Sequence, residues 1–242
     1  VLMTPLFSQN ANYSYSLNKD KLITVCTRSI DRVDLCNSTN RLFVDDIWPG
    51  SKVLADYLRD NPLLCKGKLV LELGAGSGLP AIVASIIGAK QVTITDYPDS
   101  SLLDNIQKMV INNNISSTSL VLPHIWGEKV DLLLQESIGT NNRFELVLLA
   151  ELLWKDTYEL HMDLLKSVSE CLCHQSGIAL VTFAHRTTES HLESHDLEFF
   201  EKASQYFCLE SKFLGTNDCY CDVDGEEKTI VKIYKLFYST VS

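Results

Sequence analysis

Residues 69–97, LVLELGAGSGLPAIVASIIGAKQVTITDY, constrain the fold of this chain more than any other stretch. Leu69, Val70 and Leu71 make the short apolar run of a strand buried on both faces. Glu72 stands at its end, and a tight glycine turn follows, Gly74-Ala75-Gly76-Ser77-Gly78. Leu79-Pro80 opens a helix, with proline where a missing N–H costs least. Its apolar run, Ala81 to Ile87, stops at Gly88, and a second strand through Val92 and Ile94 delivers Asp96. The pattern predicts a β-α-β unit whose glycines let a ligand lie against bare backbone. An acid about 20 residues past the first glycine is placed to hold a pair of ribose hydroxyls.

A dinucleotide fingerprint, G-x-G-x-x-G, needs glycine at position 79, where this chain has Leu79 followed by Pro80. The third glycine comes one residue early, directly after the acid, as E-L-G-A-G-S-G. That string resembles motif I of the class I S-adenosylmethionine (SAM) dependent methyltransferases, in which the loop carries no pyrophosphate. The alternative is a glycine-rich turn in another doubly wound protein; Glu72, Asp96 and the strand-turn-helix-strand context together favour SAM.

At 242 residues the chain is long enough for one sizeable α/β core. No apolar run approaches the ~18–20 residues of a membrane span. The amino end has no charged segment leading into an apolar one, which predicts no signal peptide; the chain starts at Val1, as a trimmed chain would. A net charge of −10 argues against a nucleic-acid partner and suits a basic substrate. The eight cysteines read as small buried hydrophobes. A zinc site from Cys171, Cys173, His174 and the pair Cys219/Cys221 matches no common ligand spacing, so no metal is expected.

Residues 1–47 read as a β-rich extension: Tyr13, Tyr15 and Leu17 alternate with polar residues, and Leu22–Thr27, Val33–Cys36 and Leu42–Val44 are further short strands. Residues 48–242 read as one domain. Helices are predicted over Lys52–Arg59, Ser100–Asn113, Thr157–Cys173 and His191–Tyr206. Between them lie strands Ser119–Leu122, Phe144–Leu149 (nearly all apolar, hence central) and Ile178–Phe183. Phe207–Leu214 and Thr229–Phe237 close the chain as an antiparallel pair around the acidic loop Asp222 to Glu227, read as a solvated tip rather than a calcium site. This alternation predicts an α/β, doubly wound, Rossmann-like sheet of seven strands, mostly parallel with an antiparallel last strand.

In such a sheet the ligand lies past the carboxyl ends of the strands. Those ends carry Glu72 with the glycine turn, Asp96 and Tyr97, Trp126 and Gly127, Ala150, Glu151 and Trp154, then His185 and Arg186. Asp96 is placed to accept from the ribose hydroxyls, with a helix-capping role as the plain alternative. Glu72 suits the methionine ammonium or, more simply, the turn itself. Trp126 offers an apolar face to adenine, and Trp48 either covers the cofactor or packs. Glu151 suits an acceptor amine, orienting it and stabilising the cation that forms on it, or else caps the following helix. Trp154 supplies an aromatic wall for that cation. His185 and Arg186 carry the weakest signal.

Ala55-Asp56-Tyr57-Leu58, Lys66-Gly67-Lys68, VLELGAGSGLP, Gly88-Ala89, Thr95-Asp96-Tyr97-Pro98-Asp99, Asn105-Ile106 and Ile125-Trp126-Gly127 occur in order. This set resembles the methyltransferase-16 branch of the seven-strand methyltransferases, most closely the fungal-type elongation-factor methyltransferases, a group that also carries a nicotinamide N-methyltransferase label. The resemblance implies SAM-dependent N-methylation of a protein lysine or N-terminal amine on translation elongation factor one-alpha; a cytoplasmic location and a monomeric state are expected. A nicotinamide-type small-molecule acceptor and an inactive SAM-binding scaffold are the alternatives. The family's acceptor motif, Asp-x-x-(Tyr/Phe), corresponds here to Glu151-Leu152-Leu153-Trp154, longer in the acid and larger in the ring.

Overall fold

The computed structural model describes residues 10–18, 21–28, 47–139, 142–185, 190–220 and 228–239. The strands expected over Val33–Cys36 and Leu42–Val44, Arg186, Cys221 and the acidic loop from Asp222 lie outside these residues.

Two antiparallel strands, β1 (Asn10–Asn18) and β2 (Lys21–Arg28), pair as a hairpin. Helix α1 (Pro49–Asp60) and a short 3-10 turn (Pro62–Leu64) lead into β3 (Leu69–Leu73), α2 (Leu79–Ile86) and β4 (Gln91–Asp96). Then come α3 (Ser100–Asn112), β5 (Ser119–Pro123), α4 (Asp131–Ser137) and β6 (Leu146–Ala150). A 3-10 turn (Lys155–Leu160) and α5 (His161–Cys171) precede β7 (Ile178–Ala184), α6 (Ser190–Phe207), β8 (Leu209–Tyr220) and β9 (Lys228–Tyr238).

The seven-strand sheet has the order β5-β4-β3-β6-β7-β9-β8. The β3–β4, β3–β6, β4–β5 and β6–β7 pairs are parallel, and β9 runs antiparallel to both its neighbours, as the sequence predicts. The β6 run is central because both its faces are apolar. Leu146, Leu148 and Ala150 enter one core layer with α1, α2 and α3, while Val147 and Leu149 enter the other with α5 and α6.

Several boundaries move. α1 begins at Pro49 instead of residue 52, since proline fits a helix's first position and Trp48 ahead of it is extended. The helix expected over 157–173 is a 3-10 turn and then α5, with Thr157 Oγ1 bonded back to the carbonyls of Leu152 and Trp154 ahead of the turn. Strands β8 and β9 run on toward the loop between them. Helix α4 was not predicted, although Val130, Leu133, Leu134 and Ser137 are buried at helical spacing.

The hairpin shares the first core layer: Tyr15, Leu17, Ile23 and Val25 are buried with Leu54, Leu58, Ile106 and Met109. Tyr15 Oη donates to Asp56 Oδ1 at 2.7 Å, and Asn113 exchanges bonds with the Thr24 main chain at 3.3 and 3.0 Å. Asp56 lies late in α1 and Asn113 just past α3, so these contacts sit at the ends of those helices remote from the strands' carboxyl edge.

Candidate active site

The order of the sheet reverses between β3 and β6, and the crevice opens above that pair. On the β3 side the loop is built from backbone that only glycine tolerates cheaply. Gly74, Gly76 and Gly78 have φ of 62°, 53° and 68°. A Cβ at Gly74 would stand 2.9 Å from Trp126 Cζ2 and from Leu152 Cδ2, so the indole is packed onto the loop. A Cβ at Gly76 would meet nothing within 4 Å, which leaves bare peptide facing open space. The loop is braced from below: Ala75 N–H donates to Thr95 O, and Gly78 N–H to Ala75 O.

Asp96 closes this loop. Its Oδ2 accepts the Gly76 N–H at 2.7 Å and its Oδ1 the Tyr97 N–H at 2.7 Å. Burial raises its pKa, against the pull of those two donors. Each oxygen retains a lone pair for a ribose hydroxyl. The helix-capping alternative falls to its neighbour, since Asp99 caps α3 by accepting from Leu102 N–H at 3.0 Å.

Glu72 lies beneath the loop, 1% exposed. Its Oε2 accepts the Ala81 N–H in the first turn of α2 at 3.0 Å, a cap that Gly78 has no side chain to supply. Oε1 is buried with no hydrogen-bond partner among the described residues. Burial pushes its pKa up to about 8, with Ala81 N–H opposing and Asp96 adding to the rise. The turn-stabilising role is therefore realised, with one oxygen to spare.

On the β6 side the work passes to side chains from distant segments. By strand alternation Glu151 would face α5 and α6, but its left-handed backbone (φ 57°) turns it the other way. Its N–H donates to Thr182 O at 2.7 Å, and its Oε1 accepts the Gly50 N–H at 2.8 Å, with 5% of the residue exposed. Glu151 thus caps α1, not the helix that follows it. Thr182 Oγ1 donates to Gly50 O at 3.0 Å, so Gly50 is held from both sides. A Cβ there would fall 2.7 Å from Glu151 Cγ. Trp48, half-buried, is the residue before α1, and its carbonyl accepts from Ser51 and Lys52. Ala150 is the buried last residue of β6, Trp154 is half-buried at the start of the 3-10 turn, and Tyr97 is 48% exposed.

His185 belongs to a separate cluster, with Nδ1 2.6 Å from Asp196 Oδ2 and Nε2 2.5 Å from Lys232 Nζ, which ties α6 and β9 to the end of β7. No group of three or more His, Cys, Asp or Glu side chains that could hold a metal occurs among the described residues. Gly50 and Thr182 escaped sequence reasoning because neither lies in a motif. The only signal was a glycine next to Pro49.

The loop, the crevice and the two acids fit an adenosyl ligand, and comparison with known proteins settles its class. Residues 30–206 match the lysine methyltransferase family. The chain belongs to that family. The protein N-terminal and lysine N-methyltransferase EFM7 of Candida glabrata is 37% identical over 175 residues, 71% of this chain and 66% of its own length. The Yarrowia lipolytica EFM7 is 33% identical over 208 residues, 78% and 74% of the two chains. The chain thus spans about two thirds to three quarters of these two relatives. Among solved structures, the O-methyltransferase TomG from Streptomyces achromogenes, in complex with SAM, shares the fold at TM-score 0.51 and 12% identity, covering 81% of this chain and 82% of that one. Trm5b from Pyrococcus abyssi does so at TM-score 0.54 and 12% identity, covering 95% and 64%. The chain is a SAM-dependent N-methyltransferase with a Rossmann-like fold, and no described helix is long and apolar enough to cross a membrane.

Proposed function

We propose that this methyltransferase modifies a protein amine, a lysine side chain or an N-terminal α-amino group, on translation elongation factor one-alpha. The reading carries with it a cytoplasmic location, a monomeric enzyme and no nucleic-acid partner. The observation that carries it is the buried Glu151 carboxylate at the switch point, on the neighbouring strand end to the glycine loop. Curated EFM7 relatives, named for N-terminal and lysine methylation, support the same acceptor class. SAM supplies an electrophilic methyl on a sulfonium when bound. Asp96 and the Gly76 peptide hold its ribose, Ala75 and Gly78 shape the loop, Trp126 flanks the adenine, and the spare oxygen of Glu72 faces the methionine ammonium.

The acceptor must present a neutral nitrogen lone pair, and the product nitrogen carries positive charge. Glu151, fixed by Gly50 and by its own backbone turn, orients the amine and stabilises that charge without reorganising. Trp154 gives the cation an aromatic wall. Trp48, at the mouth of α1, covers the bound cofactor.

Incubation with methyl-labelled SAM and purified elongation factor one-alpha, followed by peptide mass spectrometry, tests the reading. Label on a lysine or the N-terminal amine of the factor is the expected result. Label confined to small molecules such as nicotinamide, or cofactor binding with no transfer to any protein, overturns it.

A further inference from the structure

The Trp126 indole stands on a turn, residues 125–128, closed by a bond from Glu128 N–H to Ile125 O. The ring packs against the second core layer, and the turn that carries it is also held from α5, some 40 residues later in the chain. Ser167, with no exposed surface, accepts the Gly127 N–H at 2.9 Å and lies 3.0 Å from His124 Nε2. Lys166 Nζ donates to Gly127 O at 2.7 Å. Gly127 has φ 82°, and a Cβ there would run into the Asp163 carboxylate, so the turn is pressed against α5.

Proton accounting makes this a directed chain. Among the described residues Ser167 has two partners, Gly127 N–H and His124 Nε2. Gly127 N–H can only donate, so of the two partners only Nε2 can take the buried hydroxyl's own proton; satisfying that proton directs it to Nε2 and puts the imidazole proton on Nδ1. His124, 8% exposed, is neutral in this arrangement, in keeping with burial lowering its pKa. The main-chain N–H of His124 donates to Asp96 O at 2.8 Å. The main chain of Asp96 is therefore linked to the backbone of His124, and the His124 side chain through Ser167 to the turn that carries Trp126.

We propose that His124 and Ser167 are positioning residues that lock Trp126 to Asp96, so that the adenine wall and the ribose acid act as one preformed adenosine clamp. The proposal rests on the placement of the cofactor in the preceding section. Neither residue touches the ligand, and both act through Trp126.

Calorimetric titration of the full chain with S-adenosylhomocysteine and with adenosine tests it, using Ser167→Ala, Trp126→Ala, their double variant, His124→Leu and His124→Gln. Ser167→Ala leaves Gly127 N–H without its partner and should weaken both ligands by about five- to thirty-fold. In the Trp126→Ala background the same change should cost less than about two-fold, because the group being positioned is gone. His124→Leu should behave like Ser167→Ala, and His124→Gln should recover most of the affinity by returning an acceptor near Nε2. Equal losses from Ser167→Ala in both backgrounds, or no loss in either, would overturn the clamp. Wild-type protein that fails to bind S-adenosylhomocysteine, or Trp126→Ala protein that binds it as tightly as wild type, would instead overturn the cofactor placement beneath it.

Discussion

On the β3–β4 side of the crevice, the glycine loop and Asp96 are held mainly by main chain, within one stretch of 29 residues. Glycine peptides form the floor, and Asp96 is fixed by two backbone N–H groups. On the β6–β7 side the corresponding groups come from segments far apart in sequence. Glu151 is aimed by a backbone turn of φ 57° and anchored on Gly50, 101 residues earlier, with Thr182 closing the far side. Under the proposed function, the contrast follows from what each half must recognise. An invariant nucleoside can be read by peptide groups and one acid, which many sequences supply through one motif. An acceptor differs from enzyme to enzyme, and side chains such as those of the proposed acceptor side can change without disturbing the loop.

The comparison breaks most visibly at Glu151. Glu151→Gln keeps an oxygen for the Gly50 N–H but removes the charge, so the fold should hold while turnover drops on the order of a hundredfold. Affinity for S-adenosylhomocysteine should stay within about two-fold. Full turnover would reduce Glu151 to a cap for α1.

Glu72 sharpens the contrast, because beneath the glycine loop a carboxyl is buried at a cost to its ionised form. Its pKa is raised to about 8 in the folded chain, above its ordinary value of 4.5, so the folded state holds the proton more tightly. Its favourable contribution is complete below pH ~4.5 and is lost as pH rises through about 8. Urea unfolding of the unliganded protein should lose ~2–4 kcal/mol from this group between pH 5 and pH 9. Glu72→Gln should lack that slope, and an identical slope in the variant would refute the assignment.

Asp96→Ala removes a charged acceptor for two backbone N–H groups and for the ribose. It should weaken S-adenosylhomocysteine by ~1–3 kcal/mol in calorimetry. Unchanged affinity would show that the cofactor half is misplaced.

The smallest effect lies behind the other half. His161 opens α5, 1% exposed, ringed by Tyr158 and Phe199, with both ring nitrogens unpartnered among the described residues. Burial lowers its pKa to about 4, below the ordinary 6.5, so the unfolded chain binds the proton first. Stability should therefore fall as pH drops from ~6.5 toward 4, by about 1–2 kcal/mol, and His161→Phe should flatten that fall in thermal melts. A variant as acid-sensitive as wild type would count against it.

Legibility in the sequence followed the same division. The β3-α2-β4 unit, Asp96 and the central β6 run could be read because each is local: an apolar run, a glycine spacing or an acid at a fixed offset. Glu151 could be placed at a strand end, but not its partner. Strand alternation aims it at α5 and α6, and only the positive φ reverses that. Helix α4 and the break between the 3-10 turn and α5 were missed because their signals are short and compete with equally plausible longer helices.

Periodicity and glycine placement alone determined the sheet, its parallel character and the adenosyl crevice, since these depend on which faces must be buried and where a side chain cannot fit. Tertiary structure alone decided what Glu151 holds, that Gly50 must lack a Cβ, and that the turn carrying Trp126 is held from α5. Each of those is a contact between residues some 40 to over 100 positions apart. Such contacts depend on how helices settle on the sheet, a choice made by packing over the whole core rather than by any local string.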